Sequence, residues 1–223
     1  MGESEEVLIY SIPTVEDCRG NLSYVQKGVI PFTPSGVSVG VNLPVRGIII
    51  PLKGSVKVGS EVVSSPQLGA DNEPHGSVTL LSGAVPLFLF EKKEVKYESL
   101  SRWNEVEVDP DCIEAPFDIK RIFYITEIPA MASRGGHSHF RQQTLIIAIR
   151  GGMRVICDDG EGRKEFVLDR PTKALYLKPE VWREMDSFIE DTIVLTLTST
   201  EYDPSDYIYD YELFRRLKSR RKK

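Results

Sequence analysis

The chain has 223 residues, 41% of them apolar and 27% charged, with a formal net charge of −5. That is enough apolar material for a core in one large or two small domains, and the acidic balance gives no reason to expect nucleic-acid binding. No apolar run reaches the ~18 residues of a membrane helix, so the reading is of a protein without a membrane partner.

The start, "MGESEEVLIY", is acidic and lacks a secretory h-region, and Glu6 stands where a myristoylation site needs Ser or Thr. Short apolar stretches then follow one another: "VSVGV", "GIIIPLKGSVKV", "SVTLLSG" and "VPLFLFE". They are rich in Val, Ile and Phe, are bounded by Gly, Pro, Asn and Asp, and read as strands. A charged segment, "EKKEVKYESLSRW" (91–103), interrupts the series. After it come "RIFYITEI", "QTLIIAIRGGMRVIC", "KEFVLD", "ALYLKP" and "TIVLTLTS", again strands. Between Ile156 and Glu165, "CDDGEGRK" reads as a hairpin turn; its acidic pair has no further ligand at calcium-loop spacing. The single helix is assigned to "DYIYDYELFRRLKSRRKK", whose basic end reads as a solvated terminus. Many short strands with turn residues between them predict an all-β sandwich or barrel with a C-terminal helix. Cys18, Cys112 and Cys157 are widely spaced and odd in number. They suggest neither a disulfide framework nor a zinc site, and read as reduced thiols of a cytoplasmic protein.

The chain also resembles itself. "GVIPFTPSGVSVGV" (28–41) parallels "CIEAPFDIKRIFYI" (112–125), "VRGIIIPLKGSVKV" (45–58) parallels "QQTLIIAIRGGMRV" (142–155), and "NEPHGSVTLLSGAVPL" (72–87) parallels "LDRPTKALYLKPEVW" (168–182), in the same order. Two tandem β-domains from an internal duplication, 1–95 and 96–223, are therefore expected. Two of the chain's three histidines stand in the second copy, in "RGGHSHFRQQ" (134–143), and the first copy has none at the matching place.

Alternate residues of a strand share a face, so His137 and His139 point the same way. Gly135 and Gly136 leave room for a ligand or an irregular backbone, and Arg134 and Arg141 are positioned to answer anions. Three readings stand side by side. The pair can be satisfied core histidines. It can bind metal, with Gln143 at ligand spacing; but His75 is the only other histidine, and Arg183, where a late ligand would fall, repels a cation. It can carry protons, because imidazole both takes and gives one near neutral pH, and Tyr124 on the preceding strand could join it.

The second copy resembles the nucleotide-sugar 3,4-ketoisomerases, cupins acting on dTDP-4-keto-6-deoxyhexoses. The resemblance rests on "APFDIKR", an aromatic strand, "RGGHSH", a Gln before an apolar strand, "DDG", "LYLKPEVW" and the closing "YDPSDYI", over about 110–214. In the first copy, "EDCRGNLSYVQKGVIPF" (16–32) resembles the family's N-terminal stretch. The resemblance implies two jelly-roll (cupin) domains and a reaction that needs no metal and no redox cofactor. The ketone moves between C4 and C3 of a dTDP- or UDP-linked 4-keto-6-deoxyhexose through an enediol. It implies His137 and His139 as the proton-transferring pair, Tyr124 as a relay, and Arg121, Arg134, Gln143 and Arg183 around the substrate. Single-domain members pair as strand-exchanged homodimers, so a fused duplication implies an intramolecular pseudo-dimer, with a homodimer of whole chains as a further option. The chain departs from the family at Ser138 (often Ala), at the glutamine (one residue nearer the histidines), at Arg183 (often His) and at Tyr209 (often Arg). These changes admit another sugar, another nucleotide, epimerisation or lost activity. The rival readings are a metal-dependent cupin such as a dioxygenase, and a non-catalytic sugar-nucleotide-binding module.

Overall fold

The computed structural model describes residues 100–220 except 111, and, before them, residues 8–11, 14–26, 36–38, 47–53, 55–58, 61–64, 67–71, 78–80 and 85–90. His75 and the stretch 91–99 lie outside the described residues. The first half contributes β1 (Leu8–Ser11), β2 (Thr14–Asp17), β3 (Gly20–Gln26), β4 (Gly36–Ser38), β5 (Gly47–Lys53), β6 (Ser55–Val58), β7 (Glu61–Ser64), β8 (Gln67–Asp71), β9 (Val78–Leu80) and β10 (Val85–Phe90). The second half contributes β11 (Trp103–Glu107), β12 (Ile113–Glu114), β13 (Arg121–Thr126), β14 (Arg134–His139), β15 (Thr144–Arg150), β16 (Met153–Asp158), β17 (Arg163–Leu168), β18 (Lys173–Leu177), β19 (Trp182–Asp186), β20 (Ile193–Thr198) and β21 (Tyr207–Ile208), and ends in the helix α1 (Tyr211–Arg220).

β15, "TLIIAIR", and β20, "IVLTLT", have no solvent face: every residue of both is buried except Arg150. A strand that is apolar on both sides must be covered on both sides, and the topology does this. β15 and β20 sit at the centre of a sheet ordered β11-β18-β15-β20-β13-β3-β2. One face, with Ile146, Ala148, Leu175 and Val194, packs with Val155, Phe166 and Met185 of a second sheet, ordered β17-β16-β19-β14-β21. The other face, with Leu145, Ile147, Leu195 and Leu197, packs with Leu87 of β10 and Ile113 of β12. Those two strands belong to a third sheet, ordered β1-β8-β5-β10-β4-β12, beside a three-stranded sheet β7-β6-β9.

The halves exchange strands. β3, from the first half, pairs antiparallel with β13 from Arg121↔Gln26 to Thr126↔Asn21. β12, from the second half, pairs with β4 through Ile113↔Val37 and Glu114↔Gly36. A cut at residue 95 therefore severs the β2–β3 pair from β13 in one sheet and β12 from β4 in the other.

The turn expected at "CDDGEGRK" joins β16 to β17: Asp158 opposes Arg163, and the Asp159 carboxylate accepts from the N–H groups of Glu161 and Gly162. The helix differs from expectation. It begins at Tyr211, not at Asp206, because Asp210 caps it by accepting from the Leu213 N–H at 3.0 Å. Residues 204–206 form a 3-10 turn, and Tyr207 and Ile208 are a strand paired with His139 and Ser138. "WREMD" becomes β19 with little apolar content, because β14 and β16 flank it and satisfy its backbone. α1 docks by Tyr211, Phe214 and Leu217 on Trp182 and Ile208. None of the described helices is long and apolar enough to cross a membrane.

Candidate active site

The two sheets of the second half enclose a cavity of about 490 Å³ at the end where β14 meets β21. β14 enters it through a bulge. Gly135 and Gly136 have φ of +82° and +66°, conformations that favour glycine, and the β14–β19 register shifts between Gly135 and His137. A Cβ on Gly135 would stand 2.6 Å from the Arg183 carbonyl oxygen, so β19 approaches too closely for any side chain there. After the bulge His137 and His139 both line the cavity, while Ser138 is buried on the other face. Their rings stand 4.9 Å apart at 86°.

The two imidazoles are held differently. His139 is fully buried. Its Nε2 lies 3.1 Å from the Gln142 side-chain nitrogen, and its Nδ1 lies 3.3 Å from Asp206 Oδ2 without hydrogen-bond alignment. His137 is only half-buried and opens onto the cavity. Burial, and then the positive charge of Arg183, push the pKa of His137 down to about 3. The same two causes, joined by His137 and Arg121, hold His139 far below the ordinary histidine range. Both rings are neutral at physiological pH.

Arg183 supplies the charge. It is buried, it lines the cavity, and its Nη1 and Nη2 have no hydrogen-bond partner among the described residues. Burial lowers its pKa to about 10, which still leaves it charged at neutral pH. A buried guanidinium with idle donors is suited to an anionic oxygen. Arg121 also lines the cavity, with its guanidinium 4.9–5.2 Å from the ring centres of Tyr24, Phe123 and Tyr202. Arg134 lines it too, its Nε donating to the Arg19 carbonyl at 2.9 Å.

Two expected residues are elsewhere. Tyr124 does not reach the cavity. On β13 the cavity side belongs to Arg121, Phe123 and Ile125, so strand parity sends Tyr124 into the opposite core with Ile122. Gln143 also faces away, its Oε1 accepting from the Tyr176 hydroxyl at 2.7 Å. The glutamine in the site is its neighbour Gln142, which stands three residues after His139. Trp182 packs on Tyr211 and Phe214, outside the cavity.

Other residues line the cavity, among them Tyr209, where the chain departs from the family, and several that the sequence did not single out. Tyr202, Tyr207 and Tyr209 form an aromatic wall, with Tyr207 stacked on Tyr209 at 5.2 Å and 4.2 Å from the His139 ring. The i, i+2 spacing of Tyr207 and Tyr209 in "DYIYD" is itself a strand signal. Arg19, Leu22 and Tyr24 come from the first half, carried in by β3. No group of three or more His, Cys, Asp or Glu side chains among the described residues could hold a metal ion.

Residues 99–219 match the model of the family described as FdtA: WxcM-like, C-terminal. The chain is 35% identical over 128 residues to the TDP-4-oxo-6-deoxy-alpha-D-glucose-3,4-oxoisomerase of Aneurinibacillus thermoaerophilus, covering 56% of this chain and 91% of that protein. It is similar in structure to the 3,4-ketoisomerase QdtA of Thermoanaerobacterium thermosaccharolyticum. A histidine-to-asparagine mutant of QdtA in complex with TDP-4-keto-6-deoxyglucose superposes with a TM-score of 0.50 at 30% identity, over 55% of this chain and 98% of that one. The QdtA complex with TDP gives the same values.

Proposed function

This chain belongs to the FdtA family, and we propose that it is a nucleotide-sugar 3,4-ketoisomerase acting on a dTDP-linked 4-keto-6-deoxyhexose. The observation that carries this reading is the half-open neutral imidazole of His137 beside the buried guanidinium of Arg183, whose Nη1 and Nη2 make no hydrogen bond among the described residues, in one cavity. The C4 ketone acidifies the C3 proton. His137 removes that proton, the C–H electron pair forms the C3=C4 double bond, and the carbonyl pair moves onto O4. Arg183 answers the charge on O4; one well-placed donor of this kind is worth about 3–4 kcal/mol. The O4 oxygen gains a proton, O3 loses one, and a proton returns to C4. The carbonyl then stands at C3, with no net change in oxidation state and no call for a redox cofactor. The same imidazole serves as base and then as acid.

Arg121 and Arg134 are assigned to the substrate's diphosphate, which a guanidinium fork fits. The reaction is assigned as metal-independent: Arg183 opposes a cation, and both nitrogens of His139 already face protein groups. The division into a degenerate first copy (1–95) and a catalytic second copy (96–223) belongs to the same reading. The reciprocal strand exchange supports it, as an intramolecular pseudo-dimer in which the first copy lends β3 to the site.

The test is proton NMR of the protein with dTDP-4-keto-6-deoxyglucose in deuterium oxide with a chelator present. Deuterium beside the carbonyl together with a new 3-keto species is the expected result. Washout without a new ketone would turn the reading toward epimerisation or another sugar. Binding without exchange would sink it in favour of a binding module or a metal enzyme.

A further inference from the structure

Asp206 is one of the most buried charged residues described, at 2% exposure, yet it lies at the end of a 3-10 turn and not in a core strand. Its carboxylate is spent on one turn of chain. Oδ1 accepts from the Arg141 backbone N–H at 2.9 Å and from Arg141 Nε at 3.2 Å, and Oδ2 accepts from the Gln142 N–H at 3.2 Å. The same Oδ2 lies 3.3 Å from His139 Nδ1, near enough to act on it by charge although the pair lacks hydrogen-bond alignment. On the far side of the ring, Gln142 Nε2 sits 3.1 Å from His139 Nε2. The Gln142 amide is itself oriented: Thr200 Oγ1 donates to its Oε1 at 3.1 Å, and its Nε2 donates to Thr144 Oγ1 at 3.2 Å.

Both ends of the ring therefore make the same choice. A carboxylate oxygen beside Nδ1 repels a lone pair there and attracts a proton. An amide donor beside Nε2 needs a lone pair there. We propose that Asp206 is a positioning residue that, with Gln142, locks His139 as its Nδ1–H tautomer and so leaves His137 as the one imidazole free to carry the carbon-bound proton. This rests on the isomerase reading for its consequence, but not for its geometry. A His139 held in this way cannot rotate toward His137, 4.9 Å away, and it presents a fixed edge to Tyr207. Asp206 acts through the ring and does not line the cavity.

The whole chain holds three histidines, so a ring-nitrogen spectrum of the full-length protein labelled with ¹⁵N-histidine is simple. His75→Gln and His137→Gln assign the remaining signal to His139. In the wild type the proton is expected on Nδ1, and finding it on Nε2 overturns the proposal whether or not any variant folds. In Asp206→Asn the amide sets a donor against Nδ1 while Gln142 still sets one against Nε2, so the single tautomer should be lost and the Nδ1–H population should fall. The turnover number should then fall, with KM changed by less than about threefold, because His139 no longer keeps the single tautomer that sets it apart from His137. An Asp206→Asn protein that keeps the Nδ1–H signal yet loses turnover assigns Asp206 a merely structural role and overturns the proposal. If the wild type turns over no keto sugar while its tautomer still follows Asp206, the positioning stands and the reaction assignment falls.

Discussion

The imidazoles of His137 and His139 stand perpendicular, 4.9 Å apart; both line the cavity, and His137 is the more exposed of the two. His139 has protein at both nitrogens. The two histidines of one short motif therefore have unequal tasks, and replacing each should give a different kinetic signature.

His137→Asn should lose about 10²–10⁴-fold in turnover, the usual worth of a positioned acid–base group. Nucleotide binding should persist, because the arginines are untouched. Isothermal titration with dTDP beside a turnover assay checks both halves. A variant with turnover near that of the wild type would remove His137 as the base.

The pH profile should have no acid limb near 6.5. With the His137 pKa at about 3, the base stays unprotonated down through the mildly acidic range. Turnover over KM should therefore be flat from pH 8 to about 5 as far as this group governs it. Arg183→Met removes the second cause of the shift, so a limb should rise toward neutrality in that variant, along with a loss of rate.

Stability should depend on pH for the same reason. A histidine whose folded pKa lies below its unfolded value leaves the unfolded chain binding more protons once pH falls under about 6.5. The native state is then progressively penalised as pH drops toward about 3, with a limiting slope of ~1.4 kcal/mol per pH unit for each such group. Urea unfolding at pH 7.5 and pH 5.5 should show the loss, and His137→Asn should reduce it.

Tyr124→Phe and Gln143→Ala should keep turnover within about threefold of wild type. Both side chains face away from the cavity, in the core and on Tyr176. Gln142→Ala should cost far more, since Gln142 holds His139. A large loss at Tyr124 with an unchanged melting temperature would restore it as a proton relay.

Residues 96–223 expressed alone should be insoluble or inactive. Without the first half, Leu145, Ile147, Leu195 and Leu197 would lose Leu87 and Val25 as cover, and the cavity would lose Arg19, Leu22 and Tyr24. A soluble, fully active fragment would show that the first half is dispensable.

The sequence by itself determined the all-β class, the hairpin at "CDDGEGRK" and the His-x-His strand, because these follow from local periodicity and turn chemistry. The resemblance to the ketoisomerases implied Arg121, Arg134 and Arg183 around the substrate, and all three line the cavity with the histidines. The sequence did not determine parity. One residue of register separates Phe123, in the cavity, from Tyr124, in the core, and Gln142 from Gln143. A slip of one sends every side chain to the other face, and only the pairing partners β3 and β20 fix which face is which for β13. Nor did it show that Tyr207 and Ile208 form a short strand before the helix, since a helical pattern downstream says nothing of where the cap falls until Asp210 takes that role. Between His139, at the end of β14, and Asp206, in the turn before β21, run the strands β15 to β20, and a contact made at such separation belongs to the tertiary structure alone.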